Sequence, residues 1–63
     1  MDRMSGYGSL LEPGMLVRHP GQPDWGRGQV QSNIGGKVTV NFEHAGKVVI
    51  DIARVDLDLV VET

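Results

Sequence analysis

The segment "KVTVNFEHAGKVVI", residues 37–50, has a clear pattern of two strands joined by a short loop. Apolar residues occupy every second position on both sides of a His-Ala-Gly centre, so each half predicts a strand with one buried face. We expect residues 44–46 to form a three-residue loop in which Gly46 takes a left-handed backbone. This register pairs six apolar residues: Phe42 with Val48, Val40 with Ile50, and Val38 with Ile52. It also sets Glu43 opposite Lys47, a pair of opposite charges.

The stretch before this hairpin, "GQVQSNI" at residues 28–34, predicts another strand by the same alternation. A two-residue turn at Gly35-Gly36 would set Val40 against Gln31 and bury the polar face of this strand. A three-residue loop over residues 35–37 avoids that conflict, and it is the register we expect. It pairs Ile34 with Val38 and Val30 with Phe42. A β-bulge would also bring the apolar faces of the two strands back to the same side of the sheet.

Two further short strands complete the pattern, "MLVRH" at residues 15–19 and a last one at residues 57–61. No segment has the period of a long amphipathic helix. About five antiparallel strands in 63 residues predict one all-β domain, a small SH3-like or Tudor-like barrel over residues 13–63. Residues 1–12 show no period and predict a flexible, disordered tail. The expected lining of the barrel is Val17, Val30, Val38, Val40, Phe42, Val48, Ile50 and Leu59.

A loop rich in glycine and proline, "HPGQPDWGRGQV" at residues 19–30, joins the first two strands. Pro20-Gly21 suits the centre of a type II turn, in which the glycine has positive φ. Gly26 and Gly28 lie where a small barrel needs a sharp bend or bulge to close. Trp25 is expected to plug the open end of the barrel. No helix follows to complete a phosphate-binding loop, so these glycines are interpreted as structural turn residues.

The same residues carry a family resemblance over about residues 14–61. The pattern resembles the Tudor-like domain at the C-terminus of UvrD/PcrA-type DNA helicases and a small family of uncharacterised bacterial proteins. More distantly it is similar to the RNA-polymerase-interacting domains of CarD and transcription-repair coupling factor. The matching positions are Gly14, Val17, His19, Trp25, Gly26, Gly28, Val30, Val40, Phe42, Gly46 and Lys47. The resemblance implies an SH3-like barrel and a protein partner in transcription or DNA repair, such as RNA polymerase.

Composition and spacing argue against several classes of function. The chain has no cysteine and a net charge of -2, which excludes a thiolate zinc site and differs from the strongly basic balance of a dedicated nucleic-acid binder. Neither a secretory signal nor a membrane span is visible, so we expect a soluble cytoplasmic protein. The residues available for chemistry lack the spacing of a catalytic or metal site, so we expect no enzyme, no metal and no cofactor. They are Ser32, His19, His44, Asp24 and Glu43.

A binding module is therefore the main hypothesis. We expect a protein partner to contact Trp25, Arg27, Arg18 and Asp24 beside an exposed sheet edge, since Trp and Arg are enriched at binding hot spots. The alternative is weak, salt-sensitive binding of nucleic acid through a small basic and aromatic patch. Its cations would be Arg18, Arg27, Lys37 and Lys47. Self-association through the edge is a third possibility, so the expected state is a monomer or a weak homodimer.

Overall fold

Five antiparallel strands form one sheet in the order β4-β3-β2-β1-β5. The computed structural model describes residues 11–61, so most of the predicted tail lies outside the described residues. The strands are β1 (Leu16–Arg18), β2 (Arg27–Ile34), β3 (Lys37–Phe42), β4 (Gly46–Asp51) and β5 (Asp58–Leu59). The predicted all-β class with five antiparallel strands is confirmed. No helix within residues 11–61 has the length and apolar character needed to cross a membrane.

The β3–β4 hairpin forms where the alternation predicted it, but its register differs by two residues. The loop comprises residues 43–45, and the apolar pairs are Val40 with Val48 and Val38 with Ile50. Gly46 lies opposite Phe42 and has φ +72°, so it closes the loop in the left-handed region. The expected Glu43–Lys47 pair is wrong because Lys47 lies opposite Asn41. A shift of two residues keeps every side chain on its own face, so the buried face is unchanged.

In the β2–β3 hairpin the expected three-residue loop is wrong. Gly35 and Gly36 form a two-residue turn with φ of +57° and +87°, which brings Ile34 opposite Lys37. Two positive φ values are the signature of a type I′ turn. A bulge at Gln31 then returns the apolar side chains of the two strands to the same face, since the register shifts between the pairs Val30–Val40 and Ser32–Thr39.

The bulge changes which side chains of β2 face the solvent. Ile34, expected on the buried face, is 75% exposed. Asn33 lies opposite the buried Val38 instead, and its Nδ2 donates a hydrogen bond of 3.1 Å to the carbonyl oxygen of Leu11. The bulge thus directs a polar side chain toward the segment that precedes β1.

One apolar cluster fills the inside of the curled sheet. Its buried members are Leu11, Val17, Val30, Val38, Val40, Phe42, Ile50 and Leu57. Six of these were expected in the lining, and the other two expected residues, Val48 and Leu59, are half-buried against the cluster. Leu11 is 3% exposed, although it was assigned to the flexible tail. The packed part of the chain therefore includes Leu11.

Candidate functional site

The loop between β1 and β2 begins with a tight turn around Pro20-Gly21. The N–H of Gln22 donates to the carbonyl oxygen of His19 at 3.1 Å, and the N–H of Gly21 donates to Nδ1 of His19 at 3.0 Å. The φ of Gly21 is not positive, so the expected type II turn is wrong. Because Nδ1 accepts this bond, the neutral His19 ring carries its proton on Nε2.

A single 3-10 turn, Pro23–Trp25, forms the second half of the loop and ends at Gly26. The N–H of Gly26 donates to the carbonyl oxygen of Pro23 at 3.3 Å, and its φ is +76°. A Cβ at this position would lie only 2.7 Å from Oε1 of Glu43. Both the backbone conformation and the close approach of Glu43 therefore favour glycine here.

Trp25 is half-buried against the core. Its ring centroid lies 5.0 Å from that of His19 in an edge-on arrangement and 5.1 Å from that of Phe42 in a tilted one, both favourable aromatic geometries. The N–H of His44 donates to the carbonyl oxygen of Trp25 at 3.0 Å, which attaches the first loop to the β3–β4 loop. Much of the Trp25 ring therefore serves packing.

Arg27 and Glu43 join β2 to the start of the β3–β4 loop. The N–H of Arg27 donates to Oε1 of Glu43 at 2.8 Å, and the N–H of Glu43 donates to the carbonyl oxygen of Arg27 at 2.9 Å. The guanidinium Nη2 lies 3.9 Å from Oε2 of the same carboxylate. The pKa of Glu43 is lowered from its ordinary value of 4.5, chiefly by the hydrogen bond from the Arg27 N–H and further by nearby positive charge.

The four predicted partner-binding residues lie close to one another in chain and sheet. Arg18 on β1 is the cross-strand partner of Arg27, and its other neighbour is Asp58 on β5. Asp24 is exposed in the 3-10 turn, next to Trp25. Arg18 and Arg27 do not adjoin a sheet edge as expected, because β1 and β2 are each paired on both sides.

An open groove of about 580 Å³ runs beside Arg27 on the outer face of the sheet. Leu16, Gln29 and Asn41 form one row across β1, β2 and β3, and each alternates with buried residues, so the row faces outward. The groove is lined by Leu16, Arg27, Gly28, Gln29, Asn41, Phe42, Glu43 and Gly46.

Sequence reasoning missed Leu16, Gln29 and Asn41 as site residues. The alternation placed both amides on solvent faces, which was the available signal. Only the observed register makes Gln29 and Asn41 direct neighbours.

Most of the described cations have a carboxylate partner. Nζ of Lys37 lies 3.0 Å from Oδ2 of Asp51, and Nε of Arg54 lies 3.9 Å from the same oxygen. With the Arg27–Glu43 pair, three of the five cations in residues 11–61 lie within 4 Å of a carboxylate, and two of the three share Asp51. Arg18 and Lys47 are the other two cations. Within the same part of the chain, no three His, Asp or Glu side chains are grouped as metal ligands.

The chain matches one protein family. A family model described as "Protein of unknown function (DUF3553)" matches residues 11–60, which include all five strands and the groove. No curated protein and no solved structure matches the chain significantly. The similarity to the helicase domain, to CarD and to transcription-repair coupling factor stays a prediction from the sequence pattern.

Proposed function

The chain belongs to the DUF3553 family of proteins of unknown function, and we propose that it is a non-catalytic module that binds an extended segment of a larger protein. The observation that carries this proposal is the groove of about 580 Å³ on the outer face of the sheet. The proposed partner class, transcription or DNA-repair machinery such as RNA polymerase, rests on the sequence resemblance alone.

The side chains in the groove suit a peptide backbone. The amides of Gln29 and Asn41 are direct cross-strand neighbours, and each can donate and accept hydrogen bonds. An extended segment offers unpaired N–H and C=O groups with which both amides can bond. Leu16, in the same row, adds apolar surface. A mixed polar and apolar groove of this kind favours a peptide over an enclosed small substrate.

The charges beside the groove indicate one feature of the partner segment. Arg18 and Arg27 are cross-strand neighbours, and of the two only Arg27 lies within 4 Å of the Glu43 carboxylate. Arg18 is exposed and makes no ion pair within residues 11–61. Asp58 lies opposite Arg18 on the other side, and a carboxylate in the partner would add to it in offsetting the like charges of Arg18 and Arg27. We therefore expect an acidic residue next to the segment that occupies the groove.

The test is binding to immobilised bacterial RNA polymerase core enzyme, measured with the full chain. Gln29→Arg fills the groove and Arg18→Glu reverses the unpaired charge, so we expect each to weaken binding about tenfold or more. Arg54→Glu is the matched control. It makes the same charge reversal at a residue that follows the C-terminal end of β4, whereas the groove lies at the Gly46 end. Trp25→Ala is a poorer probe, since it also removes the contact with Phe42.

Two results would contradict the proposal at different levels. If wild type does not bind the polymerase, that partner is wrong, and proteins retained from bacterial lysate by wild type but not by Arg18→Glu identify the alternatives. If Arg18→Glu and Gln29→Arg retain the same partners as Arg54→Glu, the groove is not the binding site.

Direct binding of nucleic acid has less support. The phosphate backbone is recognised by accessible cations, and three of the five described ones lie within 4 Å of carboxylates: Arg27, Lys37 and Arg54. We expect no shift of labelled single- or double-stranded DNA or RNA at low salt and roughly tens of micromolar protein, a typical range for non-specific binding. A salt-sensitive shift that Arg18→Glu abolishes would favour the nucleic-acid hypothesis instead.

A further inference from the structure

The edge strand β4 has hydrogen-bonding groups that point away from the sheet. Hydrogen-bonded and non-hydrogen-bonded pairs alternate along an antiparallel ladder. The N–H of Ile52 donates to the carbonyl oxygen of Gly36, so the residues bonded to β3 include Val48 and Ile50. Lys47, Val49 and Asp51 are the alternate residues, so their N–H and C=O groups point outward. The carbonyl oxygen of Asp51 is already occupied, because it accepts from the N–H groups of Arg54 and Val55 at 2.9 and 3.1 Å. Within residues 11–61 no strand pairs with this edge.

We propose that β4 pairs with β4 of a second copy of this chain, antiparallel, about a two-fold axis at Val49. Such an interface uses the same surface on both copies and closes as a dimer. It joins two five-stranded sheets through the N–H and C=O of Val49 on each side and through the N–H of Asp51, which donates to the carbonyl oxygen of Lys47 of the other copy. This inference does not depend on the proposed peptide groove.

Charge complementarity selects the register. A two-fold pairing centred on Lys47 or on Asp51 sets like charges directly opposite each other, which is unfavourable. Pairings centred on the intervening residues set a charged residue opposite Val49. The pairing centred on Val49 sets Lys47 of each copy opposite Asp51 of the other and places the two Val49 side chains together.

The side chains on this edge fit that arrangement. Val49 is 62% exposed although it is a large apolar residue on a strand. Lys47 makes no ion pair within the described residues, while Asp51 accepts hydrogen bonds from Nζ of Lys37 and the N–H of Ala53, both at 3.0 Å. A carboxylate has about four acceptor positions, so Asp51 can accept a further bond from Lys47 of the second copy. Across the inner face, Val48 lies opposite Ile50 of the second copy.

The experiment is sedimentation equilibrium of the full chain between about 10 μM and about 1 mM, the range expected of a small interface. Wild type is expected to form a concentration-dependent dimer. Lys47→Asp sets two acidic residues opposite each other at both ends of the interface, and Asp51→Lys sets two basic ones. Each variant alone should dimerise at least about tenfold more weakly. An equimolar mixture should form a heterodimer, because every opposing pair is then complementary.

A second pair of variants covers the chance that Asp51→Lys fails to fold without its bond to Lys37. Val49→Pro removes the N–H that points to the second copy but leaves the bonds to β3, so circular dichroism should be unchanged and dimerisation lost. Val49→Thr keeps the N–H and is the matched control. A wild-type monomer at about 1 mM, or a dimer that persists in both Lys47→Asp and Val49→Pro, would overturn the proposal.

Discussion

Gly28 is required for space and not for backbone conformation. It is buried, its φ is not positive, and a Cβ added to it would overlap Cγ1 of Val40 and lie 2.7 Å from Cδ1 of Phe42. Both neighbours are core residues. The glycine therefore lets β2 approach the inner side chains of β3, as a small curled sheet requires.

We predict that Gly28→Ala destabilises the fold by about 1–3 kcal/mol through overpacking. Gly46→Ala should cost roughly 1–2 kcal/mol for a different reason, because its φ is +72° and its Cβ would meet no atom within 4 Å. Urea unfolding of double variants separates the two causes. Adding Val40→Ala should offset part of the Gly28→Ala loss but should add to the Gly46→Ala loss. Simple additivity in both series would rule out the steric explanation.

Glu43 gives the stability a defined dependence on pH. Its folded pKa lies below 4.5 because its carboxylate accepts the Arg27 N–H and lies near positive charge. A lowered carboxyl pKa contributes stability that is complete above the ordinary pKa and is lost as the pH falls through the folded pKa. Asp51 acts in the same direction, since Lys37 and the Ala53 N–H lower its pKa from 3.8.

We therefore expect Glu43→Gln to lower the temperature of the unfolding midpoint at about pH 7. At about pH 2 the midpoints of the variant and of wild type should be equal, because both side chains are then uncharged. Thermal unfolding followed by circular dichroism at several pH values measures this difference in midpoint. Glu12→Gln is a suitable control, because the Glu12 carboxylate is exposed and forms no ion pair within residues 11–61, so the difference in midpoint should stay small at every pH. A difference in midpoint between Glu43→Gln and wild type that stays constant with pH would show that the carboxylate charge is unimportant.

For the strands, the alternation of apolar residues predicted the faces of β3 and β4 but not the registers, and it predicted the face of β2 only up to the bulge. For β3 and β4, two registers that differ by two residues bury the same side chains, so hydrophobicity does not separate them. The choice depends on local contacts of the loop, such as the bond between Glu43 and the Arg27 N–H. For β2 and β3, the type I′ turn and the bulge occur together. Either one without the other would bury the polar face of β2.

The turn at Gly35-Gly36 makes a prediction at this scale. Asn is well tolerated at the first position of a type I′ turn, whereas a β-branched residue is strongly disfavoured at positive φ. We expect Gly35→Asn to be neutral or to stabilise by up to about 0.5 kcal/mol, and Gly35→Val to destabilise by about 1–2 kcal/mol. Equilibrium unfolding in urea measures both. Space does not confound the comparison, since a Cβ at Gly35 would meet no atom within 4 Å. Equal effects of Asn and Val would contradict the turn type.

The candidate site was predictable in its residue types and less so in its geometry. Arg18, Asp24, Trp25 and Arg27 are grouped in the sequence, and the structure keeps them near one another. The burial of Trp25 depends on Phe42, which is distant in the sequence, so no local pattern reveals it. The groove depends on which strands are neighbours and in which register, and the sequence pattern left the register open.

At the scale of the whole molecule, the small size makes each core residue important. A domain of 63 residues has a total stability of only about 3–9 kcal/mol. Eight buried apolar residues form the core of the described chain, and Leu11 is the first of them. Its carbonyl oxygen also accepts a bond from Asn33, so the segment before β1 is attached to the bulged strand.

We predict that Leu11→Ala destabilises the domain by about 2–4 kcal/mol, a large part of its total stability. The reason is that the truncated side chain leaves a cavity in a core with few other contacts to compensate. Ile34→Ala is the matched control, because it truncates another large aliphatic side chain but at a site that is 75% exposed, and it should change stability by no more than about 0.5 kcal/mol. Urea unfolding at a fixed protein concentration measures both, which keeps any dimerisation equal between variants. Equal losses for the two variants would show that Leu11 contributes no more than a surface residue, and the domain would then begin after it.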